Sequence, residues 1–416
     1  MRADFSPLRE QSFRRYWTGQ SISAFGDGLT LVVTAIAVLT VGGTAVTLGV
    51  VMGAGSICRV LSALVAGTIA DRSSRRRILI VADSGRFAIQ AGIGIAFLLG
   101  TRSWLLLLVG ASCYGVAAGF FGPVSSSIVP ALASKESLQK ANALLSLSRS
   151  TMLILGPGIA GLLIAASGVG TVYLIDAATF VMNVIFLTRV RPRFEPASTG
   201  RRLLADLVQG WQEVISRRWL ALTLLAHSAW NLGLAAFLIL GPLLIVRADG
   251  AAAWGLVSAG MAAGLLAGDA VTLRWEPSRP VLIGNLALVL EAAPLLALAF
   301  HGPVVLIALA AAISNAGVAA LNTFWYSTLQ RIIPANIMSR VMSYDWLLSF
   351  ISLPLGYSLT GYISHSAGSS ATLIAAASIA SIPAVLTVLI PTVRQLTKAR
   401  IAAYSAMADE LSSEAT

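Results

Sequence analysis

From Trp17 onward, long apolar runs alternate with short polar breaks. The runs cover roughly 17–40, 45–70, 78–100, 104–128, 141–166, 171–190, 219–246, 251–273, 280–300, 303–329, 341–364 and 370–391. At 1.5 Å per residue each is long enough to cross ~30 Å of hydrocarbon as a helix. The pattern therefore predicts an all-α membrane protein with twelve transmembrane helices. Arg189 to Arg218 is the longest polar stretch and lies at mid-chain, with Pro192 and Pro196 ending the sixth span. Within it Leu203, Leu204, Leu207, Val208, Trp211, Val214 and Ile215 fall at helical spacing, which predicts a helix lying in the membrane interface. Residues 1–190 and 219–391 are then two six-helix halves, 191–218 a cytoplasmic linker and 392–416 a cytoplasmic tail. A repeat supports the division: Ile128-Val129-Pro130-Ala131 returns as Ile332-Ile333-Pro334-Ala335, about half of the 416 residues later, and the same offset carries Arg75 onto Arg279.

Composition agrees with the pattern. Charged residues make up 11% of the chain and apolar residues 56%, far from the roughly one-quarter charged residues of soluble domains. The net charge of +11 does not suggest nucleic acid, because the Lys and Arg sit in short clusters between apolar runs. Nearly all of them fall on one side of the alternating topology. Only Arg102 and Arg247 occupy the opposite loops, and Arg59, Arg86 and Arg149 lie inside spans. By the positive-inside rule both termini are cytoplasmic, in a multi-pass protein of a cell membrane, the bacterial inner membrane. The first apolar run follows Arg2, Arg9, Arg14 and Arg15 but is too long for a signal-peptide core, so it reads as an uncleaved span. Cys58 and Cys113 lie inside spans, with no spacing that suggests a disulfide framework or a metal site.

The turn after the second span reads Gly67-Thr-Ile-Ala-Asp71-Arg72-Ser73-Ser74-Arg75-Arg76-Arg77. It resembles the loop between spans 2 and 3 of the major facilitator superfamily, with Ser74 where that loop usually has Gly. Phe121-Gly122-Pro123, Ile128-Val129-Pro130, Ala141-Asn142-Ala143-Leu144, Gln330-Arg331-Ile332-Ile333-Pro334, Arg340-Val341, Asp345-Trp346 and Pro354-Leu355-Gly356, with Gly26-Asp27-Gly28, narrow the likeness. Together they are similar to the branch of macrolide-efflux proteins and the enterobactin exporter. The resemblance implies the major facilitator fold, a cytoplasmic latch at Gly67, Asp71, Arg72 and Arg75, and export of small molecules driven by proton entry. It also places spans 1, 4, 7 and 10 around a substrate cavity, whose candidate walls are Ser23, Phe25, Tyr114, His227, Trp230, Asn231, Asn322, Trp325 and Tyr326. An apolar, aromatic wall with few hydrogen-bonding groups suits an amphiphile better than a sugar.

Charges inside spans are few, and each needs a partner or a purpose, since one at the bilayer centre costs ~2.5–3.5 kcal/mol even on lenient scales. Asp27 and Arg59 lie ~16 Å and ~18 Å from the cytoplasmic ends of spans 1 and 2. Adjacent antiparallel spans would let them meet, making them the leading proton-coupling pair, or else a permanent ion pair that only fixes packing. Asp83 and Arg86 share a face of span 3; with Arg149 and Asp345 they are expected to form a charge network near the cytoplasmic gate. Glu291, ~18 Å into span 9 beside Pro294, is a neutral carboxyl packed against a neighbour or a second proton site. Asp176 and Asp269 read as shallow enough to reach water. Gly156-Pro157-Gly158-Ile159-Ala160-Gly161 fits a dinucleotide pattern only formally, since no strand precedes it. It resembles the Gly-Pro motif of exporters, which implies a kink and close helix approach at Gly156, Pro157 and Gly161.

The expected function is secondary active export of an amphiphilic drug, antibiotic, secondary metabolite or siderophore by proton antiport with alternating access. Uptake or facilitated passage of a polar metabolite is the alternative, and a non-transporting membrane receptor a more distant one. The expected partners are the substrate, protons and the lipid bilayer, with a monomer as the working unit and no cofactor, metal or enzymatic step.

Overall fold

Hydrocarbon offers no partner for backbone N–H and C=O groups, so an apolar run entering it must satisfy them internally as a helix. The computed structural model describes residues 6–43, 45–70, 73–193, 203–334 and 337–404. Its helices are α1 (Gln11–Thr40), α2 (Ala45–Ala70), α3 (Arg75–Leu98), α4 (Trp104–Ile128), α5 (Leu138–Thr188), α6 (Leu203–Ser216), α7 (Arg218–Asp249), α8 (Ala251–Thr272), α9 (Pro280–Ala287), α10 (Ala292–Ala299), α11 (Val304–Ile332), α12 (Met338–Ala367) and α13 (Ser369–Leu389). Among the described residues there is no strand. Eleven helical stretches are long and apolar enough to cross a membrane. One of them lies in α5, whose 51 residues would run about 75 Å if straight. It breaks at Gly168, where φ is +81°, a left-handed value that glycine adopts without a Cβ penalty. The segments on either side are spans 5 and 6, so twelve crossings result. α9 and α10 form a single span interrupted by a 3-10 turn at Leu288–Glu291; Pro294, three residues on, has no N–H for the carbonyl four residues back, which explains the irregular turn before it.

The chain divides into two compact units, one of Phe5–Gly210 with Ala335–Trp346, the other of Trp211–Pro334 with the described chain from Leu347 on. In the first unit α1 packs along α5, α2 along α4, and α3 against both α4 and α5, while α1 and α2 scarcely touch. Lipid is as apolar as a leucine side chain, so close backbone approach, rather than hydrophobicity, holds such helices together. A methyl group at Gly28 would come within 2.6 Å of the Met152 carbonyl oxygen, and one at Gly156 within 2.7 Å of the Gly28 backbone. Leu29, Val33, Val51, Ile93, Leu107, Val172 and Tyr173 fill one core of this unit. Leu39, Ile57, Leu61, Val81, Leu98 and Leu162 point outward, as apolar side chains facing lipid should. α6 packs by Gly210 on Arg340 and Tyr344 and by the buried Val214, and turns Trp211, Val208 and Ile215 outward.

The second unit repeats this mode of packing. Gly260, Gly264 and Gly268, one turn apart on α8, lie against the carbonyls of Ala308, Ala312 and Ala316 on α11, and α7 packs along α13. Phe237, Leu240, Val257, Leu295, Ile307 and Leu373 are central to its main core. A smaller cluster joins Trp230, Leu288, Leu321, Ala380 and Ala384.

Candidate functional site

A chain of polar side chains runs through the middle of the first unit. Asp83 and Arg86, one turn apart on α3, form an ion pair and are both buried. The other Asp83 oxygen accepts a hydrogen bond from Asn183 Nδ2 at 2.7 Å. The Arg86 guanidinium lies 4.0 Å from the Phe121 ring centre and 4.5 Å from that of Phe180, so two aromatic faces replace the water it has lost. Asp27 Oδ1 is 3.8 Å from Arg86 Nη1, and its side chain stays 49% exposed. The same oxygen accepts from the Tyr114 hydroxyl at 2.6 Å. The carboxyl of Asp176, with no exposed surface, accepts through Oδ2 from Thr30 Oγ1 at 2.7 Å and from Gln90.

This arrangement corrects the sequence expectation in three places. Asp27 is partnered by Arg86 and Tyr114 rather than by Arg59, because α1 and α2, though consecutive in the chain, pack on other helices: α1 lies on α5 and α2 on α4. Arg59 instead holds its guanidinium 5.4 Å from the Trp346 ring centre. Asp83 and Arg86 belong to this buried chain rather than to a gate network with Arg149, whose own side chain is exposed. Asp176 and Asp269 are fully buried rather than open to water, since helix faces, not depth alone, decide access to water.

At the end of the unit that carries the 73–77 turn, Arg75 is buried and donates to Ser339 Oγ and to the Ser127 carbonyl, both at 3.1 Å. Ser339 in turn donates to Ser127 Oγ at 3.0 Å. A side chain at Gly67 would overlap Ser343 and the Ser339 carbonyl, so the glycine admits the start of α12. Ser74 caps α3 by accepting from the Arg77 N–H, the physical use of a residue that stands where the resembling loops have Gly. Asp345 is buried nearby in sequence to these contacts; Asp71 and Arg72 lie outside the described residues.

Other expected site residues are dispersed. Glu291 is buried, closes the 3-10 turn of its span, and accepts from Ser314 Oγ of α11 at 2.5 Å. His227 stacks edge-on against Trp325 at 4.9 Å, and Trp325 against Trp219 at 5.9 Å. His227, Trp325 and Trp230 are buried, and Trp230 belongs to a hydrophobic cluster, so all three are packing residues of the second unit rather than open walls. Asn231 donates to the His227 carbonyl of its own helix at 2.9 Å. Ser23 is buried, Phe25 and Tyr326 are half-buried, and Asn322 is exposed. Gly156 makes the expected close approach to α1, but Gly161 meets open space. The backbone inside α5 leaves helical values at Gly168, the junction of spans 5 and 6, and the side chain of Pro157 lies outside the description.

A cavity of about 170 Å³ opens inside the first unit, lined among others by Thr30, Thr34, Ser56, Arg59, Gln90, Tyr114 and Tyr173. Of these, sequence reasoning had singled out only Arg59 and Tyr114. Gln90, Thr30, Asn183 and the burial of Asp176 were missed, although a signal existed. Gln20 and Asp27, Asp83 and Gln90, and Asp176 and Asn183 are each seven residues apart, two helical turns on one face.

These helices define a polytopic membrane transporter of the major facilitator fold. A human organic anion transporter superposes with a TM-score of 0.73 at 17% identity, over 91% of this chain and 99% of that one. A bacterial homologue of the iron transporter ferroportin, in its outward-facing state, does so with a TM-score of 0.73 at 17% identity, over 91% and 98%. The chain belongs to the transmembrane secretion effector family, whose model matches residues 2–415. It is 25% identical over 391 residues to the multidrug efflux pump Tap of Mycolicibacterium fortuitum, covering 89% of this chain and 93% of that protein. The pump of the same name from Mycobacterium tuberculosis is 26% identical over 389 residues, covering 90% and 92%.

Proposed function

We propose that this transporter exports amphiphilic small molecules of the drug or antibiotic type in exchange for protons, and that Asp27 carries the coupling proton. The observation that carries the reading is Asp27 itself, a half-exposed carboxyl midway along α1, held by Tyr114 and facing the buried Arg86. Protonation removes its charge and leaves Arg86 to Asp83 alone, which loosens α1 from α3. Proton occupancy then favours one packing of the helices over another, the requirement for coupling a gradient to a conformational change. The relatives named as multidrug efflux pumps support the direction and the substrate class. Alternating access completes the scheme, with Phe25 in the first unit and Asn231, Asn322 and Tyr326 in the second as the remaining candidate substrate-contacting residues. Arg75, Gly67, Asp71, Arg72 and Asp345 are assigned to a latch that holds the start of α12 on the cytoplasmic side.

The test is ethidium transport by the purified protein in proteoliposomes under an imposed pH gradient. The wild type is expected to move ethidium against its own gradient, and Asp27→Asn to lose at least nine-tenths of the pH-driven component. Flux indifferent to the gradient would refute proton antiport. Gradient-driven flux that survives in Asp27→Asn would transfer the coupling role to Glu291 or His227.

A further inference from the structure

Asp176 has one carboxyl oxygen served and one not. Oδ2 accepts from Thr30 and Gln90, while Oδ1 is buried with no hydrogen-bond donor among the described residues. No Lys, Arg or His of the described residues pairs with it. Its space is made by glycine, since a methyl group at Gly26 would overlap Oδ1 and the Thr179 hydroxyl. A buried, permanently ionised carboxylate would need donors on both oxygens or a cation. A carboxyl that takes up a proton does not.

Both donors to Asp176 also line the 170 Å³ cavity, and so does Tyr114, the donor to Asp27. Neither carboxyl lines the cavity, but each is one hydrogen bond from a side chain that does. Its volume decides what it holds: pockets for drug-sized ligands measure roughly 300–1,000 Å³, whereas at about 30 Å³ per molecule this one has room for about five waters. Thr30, Thr34, Ser56, Gln90, Tyr114 and Tyr173 supply the polar partners such waters need. Thr34, Val51, Leu107 and Tyr173 lie toward the ends of their helices beside Gly42, Ala45, Ser103 and Gly168, so the cavity leads from that end of the unit to mid-span.

We propose that this cavity is a water-filled proton route through the first unit and that Asp176, joined to it through Thr30 and Gln90, is a second proton-exchanging carboxyl in addition to Asp27. The inference extends the proton-antiport reading. A proton passes from cavity water to the Asp176 carboxylate, with the Thr30 hydroxyl between them, and returns to water when Asp176 ionises. The charged and titratable groups around Asp176 are Asp27 on α1, Arg86 on α3, Tyr114 on α4 and Tyr173 on its own helix, with Arg59 of α2 on the wall of the cavity. Arg86 is already engaged with Asp83 and Asp27.

The experiment is infrared spectroscopy of the full-length protein in proteoliposomes as the bathing pH is stepped, reading the C=O stretch of protonated carboxyl groups. Asp176→Asn is expected to remove a pH-dependent component that Asp27→Asn and Glu291→Gln both retain. Thr30→Val, which deletes a donor but keeps the carboxyl, is expected to shift the frequency of that component. Should Asp176→Asn fail to reconstitute, the Thr30→Val spectrum decides alone. Spectra of Asp176→Asn or Thr30→Val identical to wild type at every pH would overturn the proposal. In flux, Asp176→Asn is expected to lower pH-driven ethidium movement at least tenfold while downhill equilibration persists; unchanged pH-driven movement would remove Asp176 from the route. The infrared readout needs neither substrate nor gradient, so a failure of proton antiport as such is separately visible as wild-type flux without pH dependence.

Discussion

Arg86 lies between two phenyl rings and two carboxyl groups, and this fixes what its removal does. Deleting the guanidinium leaves Asp83 buried with Asn183 as its remaining partner, and stranding one member of a buried ion pair typically destabilises by about 3–5 kcal/mol. Arg86→Ala is therefore expected to lower the thermal unfolding temperature in detergent markedly. Arg86→Met combined with Asp83→Asn, which removes both charges, is expected to recover most of that loss. A double variant no more stable than Arg86→Ala would show that the pair is not what holds α3 in place. Gly28 makes a second prediction at this scale. Its hydrogen faces the Met152 carbonyl and Gly156, so Gly28→Val should destabilise by about 1–3 kcal/mol through overpacking, whereas Gly161→Val, where an added Cβ meets open space, should leave the unfolding temperature nearly unchanged.

Among whole elements, α6 and the α8–α11 pair show two ways of using a helix face. α6 sets Val208, Trp211 and Ile215 outward and packs inward through Gly210 and Val214. Its outer face is expected to lie in the lipid interface, so a bromine-labelled lipid should quench Trp211 fluorescence, and Val208→Glu with Ile215→Glu should reduce that quenching. α8 instead meets α11 through a glycine at every turn. Gly264 is the middle of the three, and Gly264→Leu, driving a side chain into the Ala312 carbonyl, is expected to lower stability more than Gly255→Leu, where open space surrounds the position. The opposite order, read by thermal unfolding, would deny the stripe its packing role.

For the molecule as a whole, topology is the quantity open to measurement. Fusions of a reporter active only outside the cytoplasm are expected to be silent at the 73–77 turn and active at Gly42 and Gly100, both left-handed glycines at the ends of spans. The reverse pattern would invert the inferred direction of transport. Arg75→Ala tests the same end of the bundle from another side. It removes both of that residue's hydrogen bonds to Ser127 and Ser339, and is expected to increase reaction of a cysteine placed at Ser339 with a water-soluble thiol reagent.

Twelve crossings, the mid-chain linker helix and the boundary of α2 at Ala45–Ala70 were readable in the sequence, because the free energy of placing backbone and side chains in hydrocarbon depends on local composition over about twenty residues. Asp27, Asp83, Arg86 and Glu291 stood out for the same reason, each being a charge in a run that excludes charges. Their partners were not readable. Whether Asp27 meets Arg59 or Arg86 depends on which helices lie side by side, and that choice is made by glycine contacts such as Gly28 with Gly156 and Gly55 with Gly115, between segments far apart in the chain. Tertiary packing likewise turned Trp230 and Trp325 from expected cavity walls into core, and buried Asp176 against Gly26 behind Thr30 and Gln90. The sequence by itself determined which segments enter the membrane and which charges go with them; only the packing of helix on helix decided which of those charges meet, and which of them water can reach.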